Sequence, residues 1–162
     1  MFSATVAYRE FMRRWSVPGC PLEKVKEPDL KSVERDFNCW LPADYREAVL
    51  EFGVGKLSAA FPAAVQSFNV NLDLIAAFLD PSEMLQFCKQ YASINDVSGF
   101  IPIAAGTGGE FWGFARDDLA QPKRPESGMI WYSNFETGDS KFCAGDFESW
   151  IMQYDGVPLN GE

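Results

Sequence analysis

A chain of 162 residues, 47% of them hydrophobic, is long enough for one domain with an ample core, and its 14 Phe, 5 Trp and 5 Tyr argue against disorder. The net charge is −9 and histidine is absent, which removes the commonest general base near neutral pH and with it Ser-His-Asp, Cys-His and histidine-nuclease chemistry. The longest apolar runs, such as Leu57 to Val65, are far too short for a membrane-spanning helix.

Residues 3 to 15 place Val6, Phe11 and Trp15 on a loosely apolar face and predict a short helix. Arg9, Glu10, Arg13 and Arg14 interrupt this stretch, so it lacks the apolar core of a signal peptide and a cytoplasmic location is expected. Pro18, Gly19, Pro21 and Pro28 mark residues 16 to 28 as an irregular connection. Residues 1 to 28 are thus expected to be a helix with an irregular extension, and residues 29 to 162 a single domain.

Leu30, Val33, Glu34 and Phe37 recur at helical spacing until Leu41-Pro42 breaks the helix, because the residue before a proline is pushed out of the α region. A second helix restarts at once. Tyr45, Ala48, Val49 and Phe52 fall at i, i+3, i+4 and i+7, with Asp44, Arg46, Glu47 and Glu51 mostly on the opposite side and Gly53 as the C-terminal stop. The pair reads as an αα hairpin whose apolar stripe is core.

Phe68, Val70, Leu72 and Leu74 alternate with Asn69, Asn71 and Asp73, a period of two that predicts a strand with one wet face. Asp80-Pro81-Ser82-Glu83 then combines an Asp cap, Pro at the first helical position and Glu three residues after the cap, so a helix begins there with Met84, Leu85, Cys88 and Tyr91 inward. Strands are predicted over 100–104, 110–116, 129–133 and 140–143, paired mainly antiparallel, with Glu136-Thr137-Gly138-Asp139 as the last turn. A final helix starts near Asp146 and carries Phe147, Trp150, Ile151 and Tyr154 on one stripe. Helices on a mainly antiparallel sheet give an α+β fold.

Motifs of catalysis are missing. Cys20, Cys39, Cys88 and Cys143 are widely spread without a C-x-x-C pair, so they read as free thiols and no metal is expected. Gly106-Thr107-Gly108-Gly109 lacks the Gly-Lys-Ser/Thr of a phosphate loop and leads into Phe111-Trp112-Gly113-Phe114, a strand, so these glycines shape a hairpin. Asp117 and Asp118 are adjacent, would face opposite sides of a strand, and read as a solvated turn. No catalytic residue and no cofactor is assigned.

Three segments occur in a fixed order: Trp40-Leu41-Pro42-Ala43-Asp44-Tyr45 with the helix behind it, Phe100 to Phe114, and Ile130-Trp131-Tyr132 followed by Glu136-Thr137-Gly138. Over about residues 30 to 155 this order resembles the SUKH superfamily, whose members include many bacterial toxin-immunity proteins and a yeast regulator of cell-wall synthesis. Leu41-Pro42 with Asp44-Tyr45 matches its LPxDY signature, Gly109-Glu110 stands where the family has Gly-Asp, and Trp131-Tyr132 resembles its aromatic strand. The chain departs from the pattern at Phe52-Gly53-Val54-Gly55, where members carry Asn-Gly-Gly, and it lacks the histidine before Glu-Thr-Gly. What the resemblance implies is binding of a protein, not chemistry.

Charge points to the kind of partner. Residues 1 to 60 hold nine Lys/Arg and nine Asp/Glu, whereas residues 61 to 162 hold five and fourteen. So acidic a half disfavours nucleic acid and steers in a basic protein. The leading expectation is an immunity protein that blocks a cognate, basic, nuclease-type toxin domain inside the producing bacterial cell. A regulatory or scaffolding module of the same fold is the alternative, and an enzyme or small-ligand binder using the Gly106–Gly109 loop is the third. The expected partner surface is Glu110, Asp117, Asp118, Glu136 and Asp139, with exposed parts of Trp112 or Phe135 as apolar anchors.

Overall fold

The structure is a computed structural model that describes residues 3–91 and 99–159. Helices α1 (Ala4–Trp15), α2 (Glu27–Phe37), α3 (Ala43–Phe52) and α4 (Ala60–Phe68) precede strand β1 (Ala77–Phe78) and helix α5 (Pro81–Gln90). Strands β2 (Phe100–Ala105) and β3 (Glu110–Ala115), the short helix α6 (Arg116–Leu119), strands β4 (Ile130–Asn134) and β5 (Ser140–Ala144), and helix α7 (Phe147–Met152) complete it. The strands form one antiparallel sheet in the order β1-β2-β3-β4-β5, which makes the fold α+β as the sequence implies. Among the described residues no helix is long and apolar enough to cross a membrane.

The helix pair forms where the sequence places it. Its stripe is buried at Tyr45, Ala48 and Val49, while Phe52 is only half-buried. Gly53 adopts φ +82°, and a Cβ there would lie 2.3 Å from the Glu23 carbonyl oxygen, so both backbone conformation and space demand glycine. The Gly53 carbonyl in turn accepts the buried Tyr8 hydroxyl at 2.6 Å. That bond ties α1 to the hairpin: Tyr8, Phe11, Met12 and Trp15 belong to the same core as α3 and α7. Aromatic edges bind the layers, with Tyr45 5.6 Å from Phe114 and 5.5 Å from Phe147, and Phe11 5.6 Å from Tyr154.

Asp80 starts α5 by the full capping box: its carboxylate accepts the Glu83 amide at 2.8 Å, and the Glu83 carboxylate accepts the Asp80 amide at 3.0 Å. Asp146 caps α7 through the Ser149 amide, and Tyr154 lies buried in the turn just past that helix.

One predicted element is corrected. Residues 68–74 are not a strand: Phe68 ends α4, and the chain then turns. Asn69 Oδ1 accepts the Asn71 amide at 2.9 Å and the Asn69 carbonyl accepts the Leu72 amide at 3.1 Å, so local bonds replace the ladder an alternating pattern suggested. Phe68 and Val70 are exposed as a result. The helix before them rests on Phe61, Ala64 and Val65, a short stripe in an alanine-rich run of high helix propensity.

Candidate docking surface

Sheet register decides which side chains share a face, since directly opposed residues point the same way. Trp112 pairs with Tyr132 and Tyr132 with Lys141, so these three line one face together with Phe114, which meets Tyr45 of α3. That face is the covered one. Asp73, on the irregular segment before β1, lies over it: its carboxylate accepts Trp112 Nε1 at 3.1 Å and Lys141 Nζ at 2.9 Å. Trp112 is 1% exposed. It therefore serves the core and offers no apolar anchor, a correction to the expected surface whose cause is the Asp73 segment seated on it.

The opposite face carries Phe111, Gly113, Trp131, Ser133 and Phe142. Phe87 of α5 lies 5.3 Å from Phe111, and Tyr91 stacks on Phe135 at 4.1 Å with an interplanar angle of 27°. Phe135 is half-buried in this aromatic group.

The acidic residues separate into two groups. Glu110 pairs in register with Asn134, and the Phe135 amide donates to the Gly109 carbonyl at 3.1 Å, so the β2–β3 loop and the β4–β5 turn meet at one end of the sheet. Asn134 organises that turn: its side-chain oxygen accepts the Glu136 and Thr137 amides at 2.9 and 3.3 Å, and its carbonyl accepts the Gly138 amide at 2.8 Å. Glu136 and Asp139 are left exposed there, with Glu110 half-buried beside them. Asp117 and Asp118 are also exposed, but on α6 beyond the other end of β3. A six-residue strand puts about 20 Å between the groups. The predicted rim is two patches.

Glu110 is engaged by its own loop. Its carboxylate accepts the Gly108 amide at 2.8 Å, so the loop's own glutamate occupies the donor that a phosphate would need. A Cβ on Gly109 would meet Asn134 Oδ1 at 2.6 Å, so this glycine serves the close approach of the two hairpin ends.

Among the described residues no group of three or more Cys, Asp or Glu side chains is placed to hold a metal. The four cysteines are free thiols. Burial pushes Cys39 and Cys88 up to about 11 and Cys143 up to about 12, far from the thiolate form that nucleophiles and metal ligands require.

Comparison with known families gives a match to the SMI1 / KNR4 family (SUKH-1) over residues 24–153. The chain belongs to that family. The resemblance carried by Leu41-Pro42, Asp44-Tyr45 and the downstream segments therefore holds, and the matched region takes in every element from α2 to α7. Membership supports a protein-binding module of the immunity or regulatory kind, in a family that is generally non-catalytic. A search among curated proteins found no match.

Exposed apolar residues that the sequence reading passed over lie elsewhere. Phe142 on β5 and Met129 just before β4 are exposed, and Trp131 between them is half-buried. Trp131 and Phe142 pair in register with rings 5.8 Å apart. Alternation marks Phe142 as facing away from Lys141, but nothing in the sequence says which face of β5 stays uncovered.

Proposed function

We propose that this SUKH-1 protein is an immunity protein that neutralises a cognate, basic toxin domain in the bacterial cell that makes both, by occluding it. The reading rests on family membership over residues 24–153 joined to the acidity of residues 61–162. A basic, nucleic-acid-cutting toxin is steered in by such a field, whereas a nucleic acid is repelled. The carboxylates of Glu136 and Asp139, held out by the Asn134 turn, are suited to that role.

Co-expression tests it. The immediate gene neighbourhood is read for a toxin-encoding gene, any toxin domain found there is produced with and without this protein, and growth and complex formation on size exclusion are followed. Rescue of growth with a stable complex is the expected result. Arrest unrelieved by the protein, with no complex formed, overturns the reading and leaves the regulatory module, which binds a cellular partner through the same fold, as the better account.

A further inference from the structure

The two edges of the sheet are treated differently. At the first, β1 is closed by residues 55–57: the Phe78 amide donates to the Gly55 carbonyl at 2.9 Å, the Leu57 amide to the Ala76 carbonyl at 2.8 Å, and Lys56 bridges to Ala77. At the second, β5 has β4 on one side and no strand on the other among the described residues. Ser140, Lys141 and Phe142 are exposed there, and among the described residues the Cys143 carbonyl is met from outside by Gln153 Nε2 at 2.9 Å.

Such an edge is a template for another strand. We propose that the outer edge of β5 docks an extended, basic segment of a protein partner, an inference that rests on the reading above that the partner is basic. Charge selects this occupant. Glu136 and Asp139 precede β5, and Asp146 and Glu148 follow it, so carboxylates stand at both ends of the strand. The one cation on β5, Lys141, is drawn onto Asp73 at 2.9 Å and lies 5.0 Å from the Tyr132 ring centre on the covered face. Between the acidic ends the other face presents Phe142, 53% exposed, against Trp131. A partner strand with cations at its ends and an apolar residue over Phe142 satisfies both features.

A second copy fits worse. Two β5 edges placed antiparallel bring the Asp139 end of one against the Asp146 end of the other, like charge on like charge.

The probe is a peptide of about seven residues, a typical strand length, alternating arginine with valine. Its controls are the same peptide with glutamate for arginine, and one of equal charge with prolines replacing valines. Binding is read by fluorescence anisotropy and by amide exchange at Ser140 and Phe142, which face outward because Asn134 bonds to Asp139 and hydrogen-bonded pairs alternate along the ladder, turning Lys141 toward β4. The proposal expects the arginine–valine peptide to bind and to slow exchange at those amides, and Phe142→Ala to weaken it about tenfold. Equal binding of the proline peptide shows attraction by charge alone and overturns the proposal, as does binding without protection of β5. Concentration-dependent dimerisation of the free protein that Phe142→Ala abolishes overturns it in favour of a second copy. Because the probe is not the toxin, a protein that takes the peptide at β5 yet fails to rescue growth leaves this edge standing while the immunity reading falls.

Discussion

Arg124 grips Glu34 across the molecule. From the connection between α6 and β4 its guanidinium contacts both Glu34 carboxylate oxygens, one at 3.3 Å, and also donates to the Leu41 carbonyl at 2.7 Å. Glu34 is 6% exposed, accepts the Leu41 amide at 2.8 Å, and has Arg46 within 3.5 Å. The Leu41-Pro42 break between α2 and α3 is therefore held from outside by a residue more than eighty positions away, and the Ala43 and Asp44 amides at the start of α3 donate to the Pro125 and Glu126 carbonyls. Removing Arg124 leaves a buried carboxylate with poorer compensation. Arg124→Ala is expected to cost about 3 kcal/mol, the lower end of the range for breaking a buried pair because Arg124 is partly exposed. Chemical denaturation measures it, and a loss under about 1 kcal/mol would show the pair to be worth no more than a surface bridge.

The apolar stripe of α3 makes a graded prediction. Tyr45 is fully buried between Phe114 and Phe147, so Tyr45→Ala should cost about 3–5 kcal/mol. Phe52 is half-buried, and Phe52→Ala should cost about 2 kcal/mol, roughly 4–8 °C in Tm for a chain of this size. A melt of the Phe52 variant shifted by less than about 2 °C would show that this position lies outside the core.

Asp44 gives a pH signature. Burial raises its carboxyl to about 6, and the neighbouring Asp146 and Glu126 push in the same direction against a hydrogen bond from the Tyr45 amide. A raised folded-state value means that the native protein holds this proton more tightly than the unfolded chain. The stability this contributes is present in full below the ordinary carboxylate value of about 4, and is lost as pH rises through about 6. Asp44→Asn, which keeps an oxygen for the Tyr45 amide, should raise Tm relative to wild type above pH 6. The gap should close as pH falls toward 4. A gap that stays constant over that window would exclude titration of Asp44 as its cause.

Much of this architecture is legible in the sequence because it is written in short-range chemistry. The Asp80 cap and the Leu41-Pro42 break are decided within a few residues and form as read, and the stripe is buried from Tyr45 to Val49, whereas Phe52 is half-buried and Arg46, read as facing outward, is buried against Glu27 and Glu34. The segment from Phe68 failed because an alternating pattern does not reveal that Asn69 will bond its own neighbours. The surface was harder. Trp112 reads equally well as anchor or core, and its place in the core, with its indole N–H on Asp73 thirty-nine positions earlier, is a long-range contact the sequence does not show. The separation of Asp117 and Asp118 from Glu136 and Asp139 is likewise a property of the sheet, invisible to a count of charges.

The loop geometry predicts an absence of turnover. Glu110 already satisfies the Gly108 amide, and the chain contains no histidine. Assays for nuclease, phosphatase, NTPase and esterase activity should read background. Turnover that Glu110→Gln abolishes would show instead that this carboxylate leaves the loop and acts as a base, and would promote the enzyme reading.

The division of the acidic surface makes steering testable patch by patch. Glu136 and Asp139 stand on an ordered turn, and neither needs its charge for the backbone bonds that Asn134 makes, so replacing both by Lys should leave Tm nearly unchanged. Asp117 and Asp118 on α6 form the second patch and can be reversed separately. If the basic toxin approaches the hairpin end, the Glu136→Lys/Asp139→Lys variant should associate about tenfold more slowly at low salt, with a flatter salt dependence, while Asp117→Lys/Asp118→Lys should change little. Stopped-flow association at two salt concentrations separates the cases. The reverse order moves the docking surface to the α6 end, and on-rates insensitive to salt in wild type and both variants would remove electrostatic steering from the mechanism altogether.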